Sequence, residues 1–354
     1  AYDPGHDLVA LRRAAAVPLL ELGSNENPYG PSPRAMAAVA ACLGDIHRYP
    51  DPRGGDLRAA LARRHGVDGA QVVLGNGSHE LLMQLAQVFA ERGDEVVVSA
   101  HAFAVFAIAA RAAGASVRVT AALGAATPMP HGHDLQALLA QVNAATRLIY
   151  LANPNNPTGT WYPRADFEAF IARVPGHVVV VVDEAYAELA DAPDYASAIA
   201  SIAAHPNLVV TRTFSKAHGL AGLRVGYAIA SLPVAAMLER IRESFNVGGL
   251  SLAAAEAALA DSAHLEACRS RNAMQRDALG TALRARGFTV TPSQANFLLV
   301  GFGVETTAIE AALLAQGVVL RPMAGYGLPN CLRISIGDAA GNARLLHALD
   351  AWRG

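Results

Sequence analysis

Six short, mainly apolar segments alternate with helix-forming stretches through the middle of this chain, and this alternation most restricts its fold. The segments are residues 95–99, 116–120, 147–152, 178–182, 208–213 and 224–230. Apolar strands separated by helices predict a mostly parallel sheet that is covered on both faces. We therefore predict an α/β protein with a three-layer α/β/α large domain.

The pattern changes from about residue 233 onward, where longer helical stretches and isolated short strands follow one another. Residues 251–286 predict one long helix, and short strands are predicted at 289–291, 296–300, 318–320 and 331–335. This order predicts a smaller α+β domain. We place the large domain at residues 46–245, and we assign residues 1–45 and 246–354 together to an N-terminal arm and the small domain.

Composition narrows the class of function. The chain has 354 residues, 53% hydrophobic and 16% charged, with a formal net charge of -2, which argues for a compact protein and against nucleic acid or an anionic membrane as partner. Its three cysteines form no C-x-x-C pair, and the first 13 residues lack the apolar core of a signal peptide. We expect a cytoplasmic protein with no metal site and no membrane span.

Polar or aromatic motifs follow five of the predicted strands. They are GNGSHE after residues 71–74, AHAFAVF after 95–99, NPNNPTG after 147–152, DEAY after 178–182 and FSK after 208–213. Parallel sheets bind ligands beyond the carboxyl ends of their strands. The motifs therefore predict one ligand site at one edge of the sheet.

Lys216, in the last of these motifs, is the only lysine in the chain. A primary amine can condense with a carbonyl, whereas the arginine guanidinium is too basic to do so. An isolated lysine can also be an ordinary surface cation. The preceding strand and the small residues that follow Lys216 favour a covalent anchor for a carbonyl compound.

Other residues at the same edge have both a functional and a structural interpretation. Gly77 and Ser78 lie in a strand-turn-helix in which Ser78 is the predicted N-cap, and the free amides of such a helix start suit a phosphate, although many such turns bind nothing. Asp183 follows five valines and needs a cation or a donor, or else serves as a helix cap. Phe103 could belong to the core. Together they match a heteroaromatic phosphate that carries an aldehyde.

These motifs resemble those of the fold-type I pyridoxal-phosphate aminotransferases, and within them the histidinol-phosphate aminotransferase family. The resemblance extends over nearly the whole chain. It rests on the motifs SNENPYGPSP, RYPDPRG, GNGSHELL, NPNNPTG, DEAY, RTFSKAHGLAGLRVG and LRISIG, in this order.

The resemblance implies pyridoxal 5′-phosphate as the cofactor and Lys216 as the residue that binds its aldehyde and later moves the substrate proton. It implies Asp183 at the ring nitrogen, Asn156 and Tyr186 at the phenolate oxygen, and Phe103 stacked on the ring. The implied phosphate ligands are Gly77, Ser78, His79, Thr213, Ser215, Arg224 and, from the neighbouring subunit of a homodimer, Tyr49.

For the substrate, the resemblance implies Arg333 at the α-carboxylate and Arg321 at the distal end, a phosphate in the reaction after which the family is named. Asn27 is assigned to the substrate as well. Two departures concern specificity: His79 stands where the family commonly has aspartate, and HAFAVF (residues 101–106) replaces a Pro-Thr-Tyr-like sequence.

The implied reaction is ping-pong transfer of an amino group from L-histidinol phosphate to 2-oxoglutarate, a step of histidine biosynthesis. The nearest alternative is transamination of an aromatic amino acid such as phenylalanine or tyrosine. A threonine-phosphate decarboxylase is a third. A non-catalytic regulatory module is disfavoured, because no basic segment stands before the domain and both Lys216 and Arg333 are present.

Overall fold

The computed structural model describes residues 5–15 and 17–353, whose strands form three sheets. A seven-stranded sheet has the order β2-β8-β7-β6-β5-β3-β4, a four-stranded sheet the order β12-β13-β10-β9, and β1 pairs with β11. The strands are β1 Leu20–Glu21, β2 Val72–Gly75, β3 Glu95–Ser99, β4 Ser116–Thr120, β5 Thr146–Ala152, β6 Val179–Asp183, β7 Leu208–Thr213, β8 Gly226–Ile229, β9 Thr289–Val290, β10 Phe297–Gly301, β11 Val318–Val319, β12 Arg321–Pro322 and β13 Cys331–Ser335.

Helices surround these sheets. They are α1 Leu8–Ala14, α2 Pro33–Cys42, α3 Gly55–His65, α4 Gly77–Phe89, α5 Ala104–Ala112, α6 Leu135–Ala140, α7 Arg164–Ile171, α8 Leu232–Ile241, α9 Gly249–Ala260, α10 Ser262–Ala285, α11 Thr307–Ala315 and α12 Ala339–Arg353. Within residues 5–15 and 17–353, none of them has the length and apolar character needed to cross a lipid bilayer.

The large sheet separates two hydrophobic cores. Val180 and Val182 of β6 pack with α3, α7 and α9 on one face, whereas Val179 and Val181 pack with α4, α5 and α8 on the other. Successive side chains of a strand point to opposite faces, so a strand that is apolar throughout is buried on both. This arrangement confirms the prediction of a three-layer α/β/α fold.

One strand of the large sheet, β8, runs against its neighbours. It pairs antiparallel with both β7 and β2, whereas β3 to β7 form parallel pairs. The segment between β7 and β8 holds no α-helix. A parallel crossover usually contains a helix, and this connection has none, in agreement with the antiparallel direction of β8.

The C-terminal third forms an α+β unit around a third core. The antiparallel strands β10 and β13 pack with α10, α11 and α12, and the parallel β1–β11 pair joins the start of the chain to this unit. The prediction of one helix over residues 251–286 is wrong, because the helix is interrupted at Asp261. There the carboxylate accepts a hydrogen bond from the His264 amide and caps α10. The domain limits at residues 46 and 245 stay predictions.

Candidate active site

A cavity of about 290 Å³ lies at the carboxyl ends of the parallel strands, between the large sheet and the small sheet. Parallel strands carry their carboxyl ends to one edge, so distant motifs meet there. Twelve of the residues predicted for the site line this cavity: Ser78, His79, Phe103, Asn156, Asp183, Tyr186, Thr213, Ser215, Lys216, Arg224, Arg321 and Arg333.

Lys216 lies in the turn after β7, with its amine in the cavity. The Nζ atom donates to the carbonyl oxygens of Ser24 (3.3 Å) and Asn25 (3.2 Å), and it lies 6.0 Å from the centre of the Tyr186 ring. Burial, together with the charge of the nearby Arg333 guanidinium, lowers the pKa of Lys216 to about 8. A large share of the amine is therefore neutral at mildly alkaline pH, as condensation with an aldehyde requires.

Asp183 ends β6 as a buried carboxylate. Its Oδ1 accepts a hydrogen bond from the Thr211 hydroxyl at 3.0 Å, across the β6–β7 pair. Burial raises the pKa of Asp183 to about 7, and the Thr211 hydrogen bond opposes this rise only in part. A buried carboxylate of this kind is suited to a cationic partner such as a protonated ring nitrogen.

Asn156, Tyr186 and Asn25 form a polar wall. The Tyr186 hydroxyl accepts from Asn25 Nδ2 at 3.1 Å, and Asn156 Oδ1 accepts from Arg333 Nη1 at 2.6 Å. The predictions did not include Asn25, because its motif was interpreted as a turn. The turn itself places Asn25 here, since its φ of 55° is in the left-handed region that asparagine tolerates.

The start of α4 and Arg224 form a concave group of donors. The prediction that Ser78 is the N-cap is wrong: α4 begins at Gly77, and Asn76 is the cap residue, without a side-chain cap hydrogen bond. A Cβ atom on Gly77, whose φ is 76°, would lie 2.3 Å from Arg224 Nη2. Only glycine permits this close approach. Ser78 and His79 thus follow as first-turn residues beside the guanidinium.

Hydroxyl groups from β7 and its turn complete this group of donors. Arg224 Nη1 donates to Ser215 Oγ at 3.1 Å, and Thr213 Oγ1 donates to Ser215 Oγ at 3.0 Å. Burial lowers the pKa of His79, and the positive charge of Arg224 adds to this effect. A helix start, a guanidinium and two hydroxyls in one place suit a phosphate group.

Arg321 and Arg333 bring two guanidinium groups from the four-stranded sheet to the cavity. They are register partners in the β12–β13 pair, so both side chains lie on the same face, and each is only 7% exposed. Arg333 Nη2 also donates to the Gly23 carbonyl at 2.6 Å, and its guanidinium lies 5.3 Å from the centre of the Phe297 ring. Two buried guanidinium groups on one face suit a ligand with two anionic groups or a dianion.

Three residues predicted for the site do not line the cavity. Gly77 acts through its backbone, as described above. Asn27 donates from Nδ2 to the Ala217 carbonyl at 2.9 Å, so it supports the turn that carries Lys216. Tyr49 is 83% exposed and stacks on Phe245 with 4.7 Å between ring centres.

A buried ion pair behind the site was missed from the sequence. Arg212 Nη2 donates to Glu184 Oε2 at 2.7 Å, and Arg212 Nη1 donates to Glu188 at 2.9 Å. Because side chains alternate along a strand, this pair lies on the face opposite to Asp183 and Thr211. Removal of one partner would leave an uncompensated charge buried behind the site, which is strongly destabilising.

The cavity residues fit pyridoxal 5′-phosphate. Lys216 offers an amine of lowered pKa, Asp183 a buried carboxylate, and the Gly77 turn with Arg224 a place for an anion. Phe103, which lines the same cavity, offers an aromatic face.

No group of three or more potential metal ligands occurs among residues 5–15 and 17–353.

Fold and site together define a fold-type I transferase of the pyridoxal-phosphate class. Residues 17–349 match the model of the family described as aminotransferase class I and II, and the chain belongs to this family. It is 46% identical to histidinol-phosphate aminotransferase 2 of Methylococcus capsulatus, over 99% of this chain and 94% of that protein.

Solved structures show the same fold. Histidinol-phosphate aminotransferase of Sinorhizobium meliloti, in complex with pyridoxal-5′-phosphate, superposes with a TM-score of 0.89 at 33% identity and covers 99% of this chain and 94% of its own. L-threonine-O-3-phosphate decarboxylase of Porphyromonas gingivalis superposes with a TM-score of 0.81 at 24% identity, with 94% of this chain and 98% of its own covered. The second similarity concerns the fold alone.

Proposed function

We propose that this protein transfers the amino group of L-histidinol phosphate to 2-oxoglutarate in two half-reactions, with pyridoxal 5′-phosphate as cofactor. The observation that carries this proposal is the pair of buried guanidinium groups, Arg321 and Arg333, beside the amine of Lys216. The 46% identity to a histidinol-phosphate aminotransferase supports it. The three free cysteines fit a reducing compartment, and we propose the cytoplasm, which cell fractionation would test.

Different residues of the chain have different roles in the proposed reaction. When bound, pyridoxal 5′-phosphate supplies an aldehyde that accepts the amino group and a ring that delocalises the electrons left on the donor carbon. With the cofactor bound, the Lys216 amine would be the base that removes the proton from that carbon and delivers it to the former aldehyde carbon, and the second half-reaction would reverse this transfer. Asp183 would hold a proton on the ring nitrogen of the bound cofactor, and the Thr211 hydroxyl donates a hydrogen bond that orients the carboxylate.

Two arginines suit both substrates of this reaction. We assign Arg333 to the α-carboxylate of 2-oxoglutarate and Arg321 to its distal carboxylate. L-Histidinol phosphate has no α-carboxylate, and its phosphate dianion is placed between the two guanidinium groups. Phenylalanine carries a single carboxylate and would leave one buried guanidinium without an anion, which is unfavourable in a site shielded from water.

The substrate proposal predicts a difference between two half-reactions. L-Histidinol phosphate is expected to react with the loaded enzyme about 10- to 100-fold faster in kcat/KM than phenylalanine, since one charge-assisted hydrogen bond contributes about 1.5–3 kcal/mol. Each half-reaction is followed by the loss of the absorbance of the lysine-bound cofactor. The matched variant Arg321→Gln should lose about tenfold or more with L-histidinol phosphate and much less with phenylalanine.

Two results would contradict the substrate proposal. An equal or faster reaction with phenylalanine would assign the enzyme to aromatic amino acids. Release of carbon dioxide from O-phosphothreonine, measured with the same preparation, would indicate the decarboxylase instead.

We also propose a homodimer in which Tyr49 of each subunit reaches the cofactor phosphate of the other. Tyr49, Ile46 and Leu43 are 83%, 72% and 54% exposed, a concentration of apolar surface that association would bury. Light scattering is expected to give twice the 36.8 kDa of one chain. Tyr49→Phe should keep that mass and weaken cofactor binding about five- to tenfold. A monomeric mass would contradict the proposal.

A further inference from the structure

His101 is the first residue of the segment HAFAVF, and unlike Phe103 in the same segment it has no role in the site described so far. It follows β3 of the large sheet, and its ring contacts the loop of residues 322–328, which continues from Arg321. We propose that His101 is a positioning residue, which ties this loop to the large sheet and thereby sets the place of Arg321 for the anionic group of the substrate. The consequence for the substrate rests on the proposed function.

The contact is a direct hydrogen bond between His101, which follows the large sheet, and the loop of residues 322–328. His101 Nδ1 lies 2.7 Å from the carbonyl oxygen of Tyr326. A carbonyl can only accept, so Nδ1 carries the proton and the ring donates. The ring also lies close to the next residue: a Cβ atom added to Gly327 would be 3.8 Å from His101 Cε1.

The backbone of His101 is itself held in place. Its carbonyl accepts a hydrogen bond from Asn155 Nδ2 at 3.1 Å, and Asn155 also donates to Thr158 Oγ1 at 2.8 Å. His101 has a φ of 54°, and its ring packs edge-on against His131 with 5.3 Å between ring centres. The imidazole is therefore a fixed support and not a freely rotating surface side chain.

The loop of residues 322–328 is compact enough to transmit this constraint to Arg321. Amides of Tyr326 and Leu328 both donate to the Met323 carbonyl, at 2.9 and 3.1 Å. Met323 is fully buried beside Leu299. Arg321 directly precedes this loop and lines the cavity, so we expect a shift at Tyr326 to displace its guanidinium. Phe103, two residues after His101, lines the same cavity.

The test compares three variants in the enzyme loaded with its cofactor. His101→Ala removes the donor. His101→Asn keeps one, because asparagine Nδ2 occupies the place of imidazole Nδ1 and asparagine tolerates the left-handed backbone. The matched control is His177→Asn, which makes the same substitution at an exposed histidine whose ring lies 3.5 Å from the Asn143 carbonyl oxygen.

Hydrogen exchange gives a readout without substrate. Amides of residues 323–328 are expected to exchange about fivefold or more faster in His101→Ala, with wild-type rates in His101→Asn and His177→Asn. If the alanine variant does not fold, His101→Gly provides the same loss of the donor with a backbone that accepts this φ. Unchanged exchange in the variant lacking the donor, or equal loosening in His177→Asn, would overturn the proposal.

Kinetics gives the second readout. His101→Ala should raise KM for L-histidinol phosphate about five- to tenfold with kcat within about twofold, and His101→Asn should restore it. A change in kcat with an unchanged KM would overturn the link to Arg321. If wild-type enzyme does not use L-histidinol phosphate, the proposed function fails while the exchange result stands, and KM is then measured with the donor that reacts.

Discussion

Replacement of Lys216 by alanine is expected to lower the rate of transamination by about 10⁴-fold or more, because the variant loses both the amine that binds the aldehyde and the base that moves the substrate proton. The absorbance of the lysine-bound cofactor should disappear as well. Both are measured on protein dialysed against pyridoxal 5′-phosphate. Alanine at this position removes the two hydrogen bonds to the carbonyls of Ser24 and Asn25 and the contact with the Tyr186 ring, but no part of the hydrophobic cores, so the fold should be retained.

The control for this experiment is Lys216→Arg. Arginine keeps a cation in the cavity but cannot condense with an aldehyde, since its guanidinium stays protonated. It should therefore be as inactive as the alanine variant and equally lack the absorbance. An arginine variant that keeps activity would show that the charge of Lys216, and not its amine chemistry, serves the reaction.

Asp183→Asn is expected to have the second largest effect. It removes the buried negative charge from the ring nitrogen, and the loss of one partner from a buried charge pair costs about 3–5 kcal/mol, which corresponds to about 150- to 5,000-fold in kcat/KM. The matched control Thr211→Val removes only the hydrogen bond to the Asp183 carboxylate. Its loss should be about tenfold or less. Equal losses in the two variants would contradict the role of the charge.

The pH dependence of cofactor binding gives Asp183 a separate test. Burial raises the pKa of Asp183 to about 7, so protonation below that pH removes the charge that a protonated ring nitrogen would meet. Cofactor affinity of the wild-type protein is therefore expected to fall as the pH drops from 8 to 6. The fall should be smaller in Asp183→Asn, which has no carboxyl group to titrate. Equal slopes would assign the pH dependence to another group.

The class of fold followed from local pattern. Strands that are apolar throughout, such as the valine run that ends at Asp183, must be buried on both faces, and the structure buries that run between two cores. Parallel strands also share one edge for their carboxyl ends. Motifs separated by more than a hundred residues were therefore predicted to meet, and Ser78, Asn156 and Lys216 do line one cavity.

Two details of the secondary structure, a helix boundary and the direction of one strand, could not be predicted from the apolar pattern. The apolar spacing of residues 251–286 continues through Asp261, yet a single side-chain hydrogen bond starts a new helix there. The direction of β8 depended on the connection from β7, since an apolar strand looks the same in either direction.

The contacts between distant residues depended on tertiary structure alone. Asn25 reaches the Tyr186 hydroxyl, Arg212 pairs with Glu184, and His101 reaches the carbonyl of Tyr326. No local pattern of charge or hydropathy contains these pairs, because they join elements far apart along the chain.

The order of the motifs and the single lysine were sufficient for the family, the fold class and the group of residues at the sheet edge. Chemical type is a property of each residue and is readable before folding. The position and surroundings of each residue cannot be read from the sequence. Burial lowers the pKa of Lys216 and raises the pKa of Asp183, and strand register places Arg321 and Arg333 on one face. Burial and register are set by the whole chain, so only the tertiary structure decided them.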